Sequence, residues 1–482
     1  MKRNIVLIIA DQMRADALGY MNRARVQTPN IDALASGGCS FTRAITPSPI
    51  CGPARCSMFT GLYPHQAKGV LLEDKLGVRT PEERPLDVPT DMMINDSSIK
   101  EPPLLTDRLR EAGYHTAYAG KWHLGNDCIH CWFDEAFGYD NEDYLQYLKN
   151  NDLPEQGWPL KDSQVKTHRK PHMSIPRTKV NPLQPEQCND AWITDIALDY
   201  ITSRPKTKPL FLVCGFNGPH PPFKIPEPYF SMYDPDRYAE PNNFHPGAGE
   251  PVCKKESFYR TLWRDQGTSW DAWKKSAAVY HGFCTQIDEQ VGRITSCLQQ
   301  EDLLDDTLII FVSDHGEQLG QHGLWHKMQP YEESLRVPLV MSIPCSDKPG
   351  ELSRAQVSLI DIPSTILAFA GCKVPESYEG INLLDAGKIE ETRLLFSEQE
   401  NLGSFHRECD WRLVTDGRYK LVKNIGDKDE FYDLKKDPDE LENLIDHVHC
   451  TDNRSTLERE LASWMKKTND KHAVTLETLD TR

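Results

Sequence analysis

The chain is predicted to fold as an α/β sandwich followed by a smaller antiparallel unit. Three observations predict it. Four short, nearly continuous apolar runs, Ile5 to Ala10, His115 to Gly120, Leu210 to Phe216 and Thr307 to Ser313, are each closed by polar or small residues. That is the pattern of strands buried on both faces, as in a parallel sheet. Segments with helical spacing alternate with these runs. From about Tyr378 onward the pattern changes to short strand-like stretches separated by turns such as Asp416-Gly417.

Taken in order, Ile5 to Ala10 follows Met1-Lys-Arg-Asn and superficially resembles a secretory leader. Its apolar run is six residues and ends at Asp11, short of the roughly 7–15 that a leader needs. It reads as a buried strand, and a cytoplasmic location is expected. Cys51-Gly-Pro53-Ala-Arg55 opens a helix-like segment, because proline's missing N–H costs nothing in a first helical turn. Leu104 to Ala112, stopped by Gly113, Ala191 to Thr202 and Ser276 to Gln299 read as helices placed between the strands. Asn151 to Gln187 and Pro226 to Lys255 lack apolar periodicity and read as long surface excursions. Beyond Tyr378, Leu394 to Ser397, Trp411 to Thr415, Tyr419 to Lys423 and Glu430 to Leu434 read as strands, with a final helix over Ser455 to Lys467. The expected division is a catalytic domain over 1–378 and an α+β subdomain over 379–482.

The formal net charge of −17 argues against a nucleic-acid binder. An anionic substrate would need a local basic pocket set against that field. No stretch approaches the ~20 apolar residues of a membrane span. The 14 cysteines are scattered without the density of a disulfide scaffold, and most are expected to be reduced and buried. Cys128-Ile-His-Cys131 has zinc-like or redox spacing but no second pair nearby.

Each apolar run delivers chemistry at its carboxyl end: Asp11-Gln12, then Lys121 and His123, then Asn217 to His220, then Asp314-His315. In open α/β sheets ligands bind outside those ends, so parallel strands would gather these residues into one crevice. Asp11, Gln12, Asp314 and His315 are then expected to form a divalent-metal shell, although an aspartate after a strand taken singly is more often a turn former or helix cap. Three oxygen-donor side chains favour Ca²⁺ or Mg²⁺, and the imidazole leaves Mn²⁺ and Zn²⁺ open. Lys121, His123, His220, Lys327 and Arg55 supply the basic pocket. Cys51, at a helix start, would sit by free backbone N–H groups that favour a thiolate or bound oxyanion. A capped helix with a buried cysteine fits the same spacing.

Cys51-x-Pro53-x-Arg55, continuing to Thr60-Gly61, resembles the signature of the formylglycine-dependent (type I) sulfatases of the alkaline phosphatase superfamily. The resemblance covers most of the chain: Asp11-Gln-x-Arg14, Thr28-Pro-Asn-Ile-Asp32, Gly120-Lys-Trp-His-Leu-Gly125, Pro219-His-Pro-Pro-Phe223, Ser313-Asp-His-Gly-Glu317, Tyr331-Glu-Glu-Ser334 and Tyr432-Asp-Leu-x-x-Asp-Pro438. It implies a large mixed, mostly parallel sheet sandwiched by helices, with a smaller C-terminal antiparallel sheet and helix. It implies a sulfatase acting on a sulfated sugar or other small sulfate monoester. A formylglycine-generating enzyme would convert Cys51 to the aldehyde whose hydrate is the nucleophile. Asp11, Gln12, Cys51, Asp314 and His315 would hold the metal, usually Ca²⁺. Arg55 would help polarise the nucleophile, Lys121 and Lys327 would neutralise sulfate oxygens, His220 would protonate the leaving alcohol, and His123 would restore the aldehyde.

Gln12 departs from the second aspartate of many members. It is similar to the arrangement in phosphonate monoester and phosphodiester hydrolases of the same superfamily, which stand as the second reading. The excursions, with Asn401 to Arg407, are expected to line the pocket mouth. His168, Arg169, Lys170, His172 and Arg177 read as a solvated loop face, with contact to a second anionic group as the alternative.

Overall fold

The computed structural model describes residues 3–21, 26–67, 104–124, 129–139, 141–154, 178–247, 249–344, 349–384, 386–400 and 410–473. In chain order its strands are β1 (Asn4–Asp11), β2 (Cys39–Ile45), β3 (His115–Gly120), β4 (Glu135–Phe137), β5 (Lys179–Val180), β6 (Leu210–Pro219), β7 (Lys224–Ile225), β8 (Thr307–Ser313), β9 (Leu339–Ser342), β10 (Glu351–Ser358), β11 (Leu395–Gln399), β12 (Trp411–Thr415), β13 (Tyr419–Asn424) and β14 (Glu430–Asp433). Eight of them form one sheet in the order β10-β2-β9-β8-β1-β6-β3-β4. Every neighbouring pair is parallel except the two made by β9. The carboxyl ends of β1, β2, β3, β6 and β8 therefore open on one edge.

Strand β1 shows why the sheet is sandwiched. All its residues are buried, and alternate side chains leave on opposite faces. Val6 and Ile8 join one core with Trp192, Ile193, Ile287 and Val291. They meet the helices Asn189–Ser203 and Trp270–Gln300. Ile5, Leu7 and Ile9 join the other with Phe59, Leu105 and Ile366, from the helices Cys51–Thr60, Leu105–Glu111 and Asp361–Phe369.

The second sheet, β11-β12-β13-β14, is fully antiparallel. Val414, Leu421 and Phe431 on one face pack against Leu457, Leu461, Trp464 and Met465 of the helix Thr451–Lys467. On the other face Trp411, Leu413 and Val422 meet Leu335 of the main domain. Charged groups are buried at this joint. His65 Nδ1 lies 2.5 Å from Glu398 Oε2. Arg412 pairs with Asp470 and, at 3.0 Å, with Glu400. Lys420 pairs with Glu440 and, at 3.1 Å, with Glu332.

All four expected core strands form, and β6 runs on to Pro219. Strands β2 and β10 carry no continuous apolar run and mix Ser, Thr, Arg and Gln into their sequences, and the apolar run of β9 is only Leu339 to Met341. The helix expected from Ser276 begins at Trp270, where the Ser269 side chain accepts from Asp271 N–H and caps it. The last helix begins at Thr451. Pro226 to Lys255 is mostly irregular and ends in the short helix Val252–Lys255. Residues 155–177 of the first excursion, with His168, Arg169, Lys170, His172 and Arg177, lie outside the described residues, as do Cys128 and Asn401 to Arg407. Among the described residues no helix is long and apolar enough to cross a membrane.

Candidate active site

Strand β1 ends at Asp11, fully buried, and the chain turns at Gln12 with φ 68°. The turn is fixed by Gln12 N–H donating to Asp314 Oδ1 at 3.1 Å and by Tyr280 O–H donating to Gln12 O at 2.8 Å. Strand β8 delivers Asp314 and His315 beside it. Asp314 is held from both sides: Oδ2 accepts from Arg55 Nε at 2.9 Å, and Oδ1 also accepts from His315 N–H. His315 Nδ1 donates to Gly316 O at 2.9 Å. Its Nε2 lone pair is thereby turned toward Cys51 Sγ, 3.1 Å away.

Cys51 is the first residue of a helix in which all ten residues are buried. Its Sγ lies 3.6 Å from Asp11 Oδ1 and 3.4 Å from Lys327 Nζ. Arg55, one turn further on, is fully buried. Its Nη1 donates to Lys121 O at 2.7 Å, and Nη2 lies 3.6 Å from Asp11 Oδ2. Among the described residues Nη2 has no hydrogen-bond partner of its own.

Strand β3 brings in Lys121, whose ammonium pairs with Asp11. Two glycines permit that approach. Gly120 has φ 91°, and a Cβ there would lie 2.2 Å from Gly215 O. A Cβ on Gly215 would lie 2.5 Å from Lys121 O. Strand β6 leads to His220, whose Nδ1 donates to Pro221 O at 2.7 Å, leaving Nε2 to accept from Lys327 Nζ at 2.9 Å. Lys327 also donates to Gln12 Oε1 at 2.8 Å. His123 has φ 66°, and its carbonyl lies against Gly52.

The structure thus brings Asp11, Gln12, Cys51, Arg55, Lys121, His123, His220, Asp314, His315 and Lys327 to one edge of the sheet. Burial alone would raise the Asp11 carboxyl. Lys121, His220, Arg55 and Lys327 outweigh it and hold Asp11 well below the usual range. Burial, then Lys327, pushes His220 well below 6.5. Burial, then Lys121, does the same to His123. Burial takes His315 down to about 4. The imidazoles are therefore neutral at rest, and two carboxylates face three cations.

Donor atoms of Asp11, Cys51, Asp314 and His315 all lie within 4.8 Å of one another, a spacing and donor set that fit a divalent cation. Gln12 points Oε1 inward because its Nε2 donates to Glu317.

Three residues carry the site without having been singled out for it. Glu317 orients Gln12. Asp190 Oδ1 accepts the N–H groups of Asn217 (2.7 Å) and Gly218 (3.3 Å), fixing the exit of β6 toward His220. Trp411 Nε1 donates to Met328 O, next to Lys327. Glu317 lies inside a quoted motif, and Asp190 opens a helix. Nothing local marks Trp411.

The sulfatase family model matches residues 3–372, and that of the N-sulphoglucosamine sulphohydrolase C-terminal region matches 320–467. The chain is 29% identical over 474 residues to an arylsulfatase of Clostridium perfringens, covering 92% of this chain and 90% of that protein. It is 29% identical over 498 residues to the multifunctional alkaline phosphatase superfamily protein PehA of Trinickia caryophylli, with 92% and 91% covered. The fold is similar to that of the phosphonate monoester hydrolase of Agrobacterium radiobacter, with a TM-score of 0.75 at 22% identity, covering 97% and 96%. It is also similar to that of BT4656 in complex with its substrate D-glucosamine-2-N,6-O-disulfate, with a TM-score of 0.73 at 20% identity, covering 98% and 99%. The chain belongs to the sulfatase family, the sulfuric ester hydrolases of the alkaline phosphatase superfamily.

Proposed function

We propose that the chain hydrolyses a small sulfate monoester, such as a sulfated sugar, using formylglycine made from Cys51. The observation that carries this reading is the position of Cys51. It lies at a helix start, its Sγ is 3.1 Å from His315 Nε2 and 3.4 Å from Lys327 Nζ, and one turn away Arg55 Nη2 is buried without a hydrogen-bond partner among the described residues. The thiol marks where the oxygens of the hydrated aldehyde would stand. That hydrate would supply the nucleophile at sulfur. Asp11, Gln12, Asp314 and His315, with the modified Cys51, would hold a divalent cation, Ca²⁺ by family analogy, whose contribution is Lewis-acid polarisation.

The chain's own groups account for the rest. Arg55 helps polarise the nucleophile, and Lys121 and Lys327 neutralise the sulfate oxygens. His220 Nε2, which accepts from Lys327 Nζ at 2.9 Å at rest, would take up a proton from that ammonium and pass it to the departing alcohol. His123, kept neutral by burial and Lys121, is able to take a proton during release of the product.

The test is peptide mass analysis of matured protein together with turnover of an aryl sulfate. Loss of the Cys51 thiol and a fall of at least about 10³-fold in kcat for Cys51→Ala are expected. Wild-type turnover in Cys51→Ala would rule the reading out. Gln12 favours a second reading, phosphonate monoester or phosphodiester hydrolysis, because an amide leaves the shell one charge less negative. The ratio of kcat/KM for aryl sulfate and aryl phosphonate decides between them.

A further inference from the structure

We propose that Trp411, on the antiparallel sheet, is a positioning residue for Lys327, an inference that rests on the role given to Lys327 above. Lys327 stands between His326 with φ 64° and Met328 with φ 76°. Side-chain-bearing residues keep such left-handed conformations only where surrounding bonds impose them. Three bonds impose it at Met328. Its N–H donates to Pro49 O at 3.2 Å, just ahead of Cys51. Its carbonyl accepts from Trp411 Nε1 at 3.1 Å, and its Sδ accepts from Tyr259 O–H at 3.0 Å.

The Trp411 bond is the one that reaches from the second sheet. Trp411 is 2% exposed, its ring packed with Leu335, Leu413 and Val422. An indole has a single N–H to give, and here it goes to the peptide next to the lysine. Lys327 Nζ must serve Gln12 Oε1, Cys51 Sγ and His220 Nε2 together, so a small shift of its backbone loosens all three contacts. Trp411→Phe removes the N–H and leaves an apolar ring smaller than the indole, so the coupling to Lys327 is what separates positioning from packing.

The experiment is a double-mutant cycle on the full matured chain, read as kcat/KM for an aryl sulfate. Trp411→Phe should lower it about tenfold in the parent and less than about twofold in a Lys327→Ala background. An undiminished tenfold loss in that background, or no loss in the parent, overturns the proposal. Lys327→Ala with parental activity overturns it differently, by removing the active-site reading beneath it. If Trp411→Phe does not fold, Met328→Gly replaces it. Glycine accepts the φ at that position and also many others, so the same loss and the same insensitivity are expected, and additivity with Lys327→Ala is again fatal.

Discussion

At the strand ends, Asp11 and Asp314 face Arg55, Lys121 and Lys327. At the joint between the sheets, His65 and Arg412 face Glu398, Glu400 and Asp470. Both clusters are buried, and both sit in a chain of net charge −17. At the joint, each charge has a partner in direct contact: the Arg412 fork is filled by Asp470, Glu400 and the carbonyls of Gln399 and Trp411. At the strand ends the cations exceed the carboxylates and converge on the Cys51 thiol. Buried cations in excess repel one another and weaken the fold, whereas a buried charge with complete partners becomes costly only when a partner is removed. Under the proposed function the first cluster would receive an anion, and the second holds two layers together.

The sharpest way to break that contrast is to remove one charge from each. Lys327→Ala should lower kcat/KM for an aryl sulfate by about 10³-fold, about 4 kcal/mol, while the denaturation midpoint stays close to the parent's. Arg412→Ala should do the reverse. It strands buried carboxylates and costs about 3 kcal/mol of stability, while the folded fraction keeps a turnover close to the parent's. A stable Arg412→Ala protein, or a Lys327→Ala protein that unfolds easily, would erase the distinction.

The smallest effect concerns pH. Burial alone would lower the His65 imidazole, but the hydrogen bond and charge of Glu398 outweigh it and hold its pKa above 6.5. A raised histidine stabilises the fold fully below its unfolded pKa and stops doing so as pH climbs through the folded value. Melting temperature should therefore fall from pH 6.5 upward, and His65→Gln should flatten that fall, an effect of about 1 kcal/mol or less. An unchanged pH profile in His65→Gln would show that the joint is held by its other pairs.

These two regions were not equally legible in the sequence. Asp11, Asp314 and Lys121 can be found because each follows directly on a strand whose apolar run is continuous, and parallel strands bring such ends together. Strands β2 and β10 stayed hidden because polar residues tolerated near the sheet edge break their patterns. The joint was hidden for another reason: His65, Glu398, Arg412 and Asp470 have their partners far away in sequence, and a buried arginine reads locally like a solvated one. Trp411 shares the second difficulty. Its strand is recognisable, but the single bond that matters crosses to a peptide 83 positions away.

The closure of the site also has a time. Cys51 and His315 touch across 264 positions of chain, and the helix that carries the thiol is buried on every side in the finished fold. At about 5–20 residues per second of synthesis, roughly 10–50 s separate the appearance of the cysteine from that of the strand end that covers it. If Cys51 is modified as proposed, the modifying agent has that interval, and a chain that folds past it unaltered has buried the thiol.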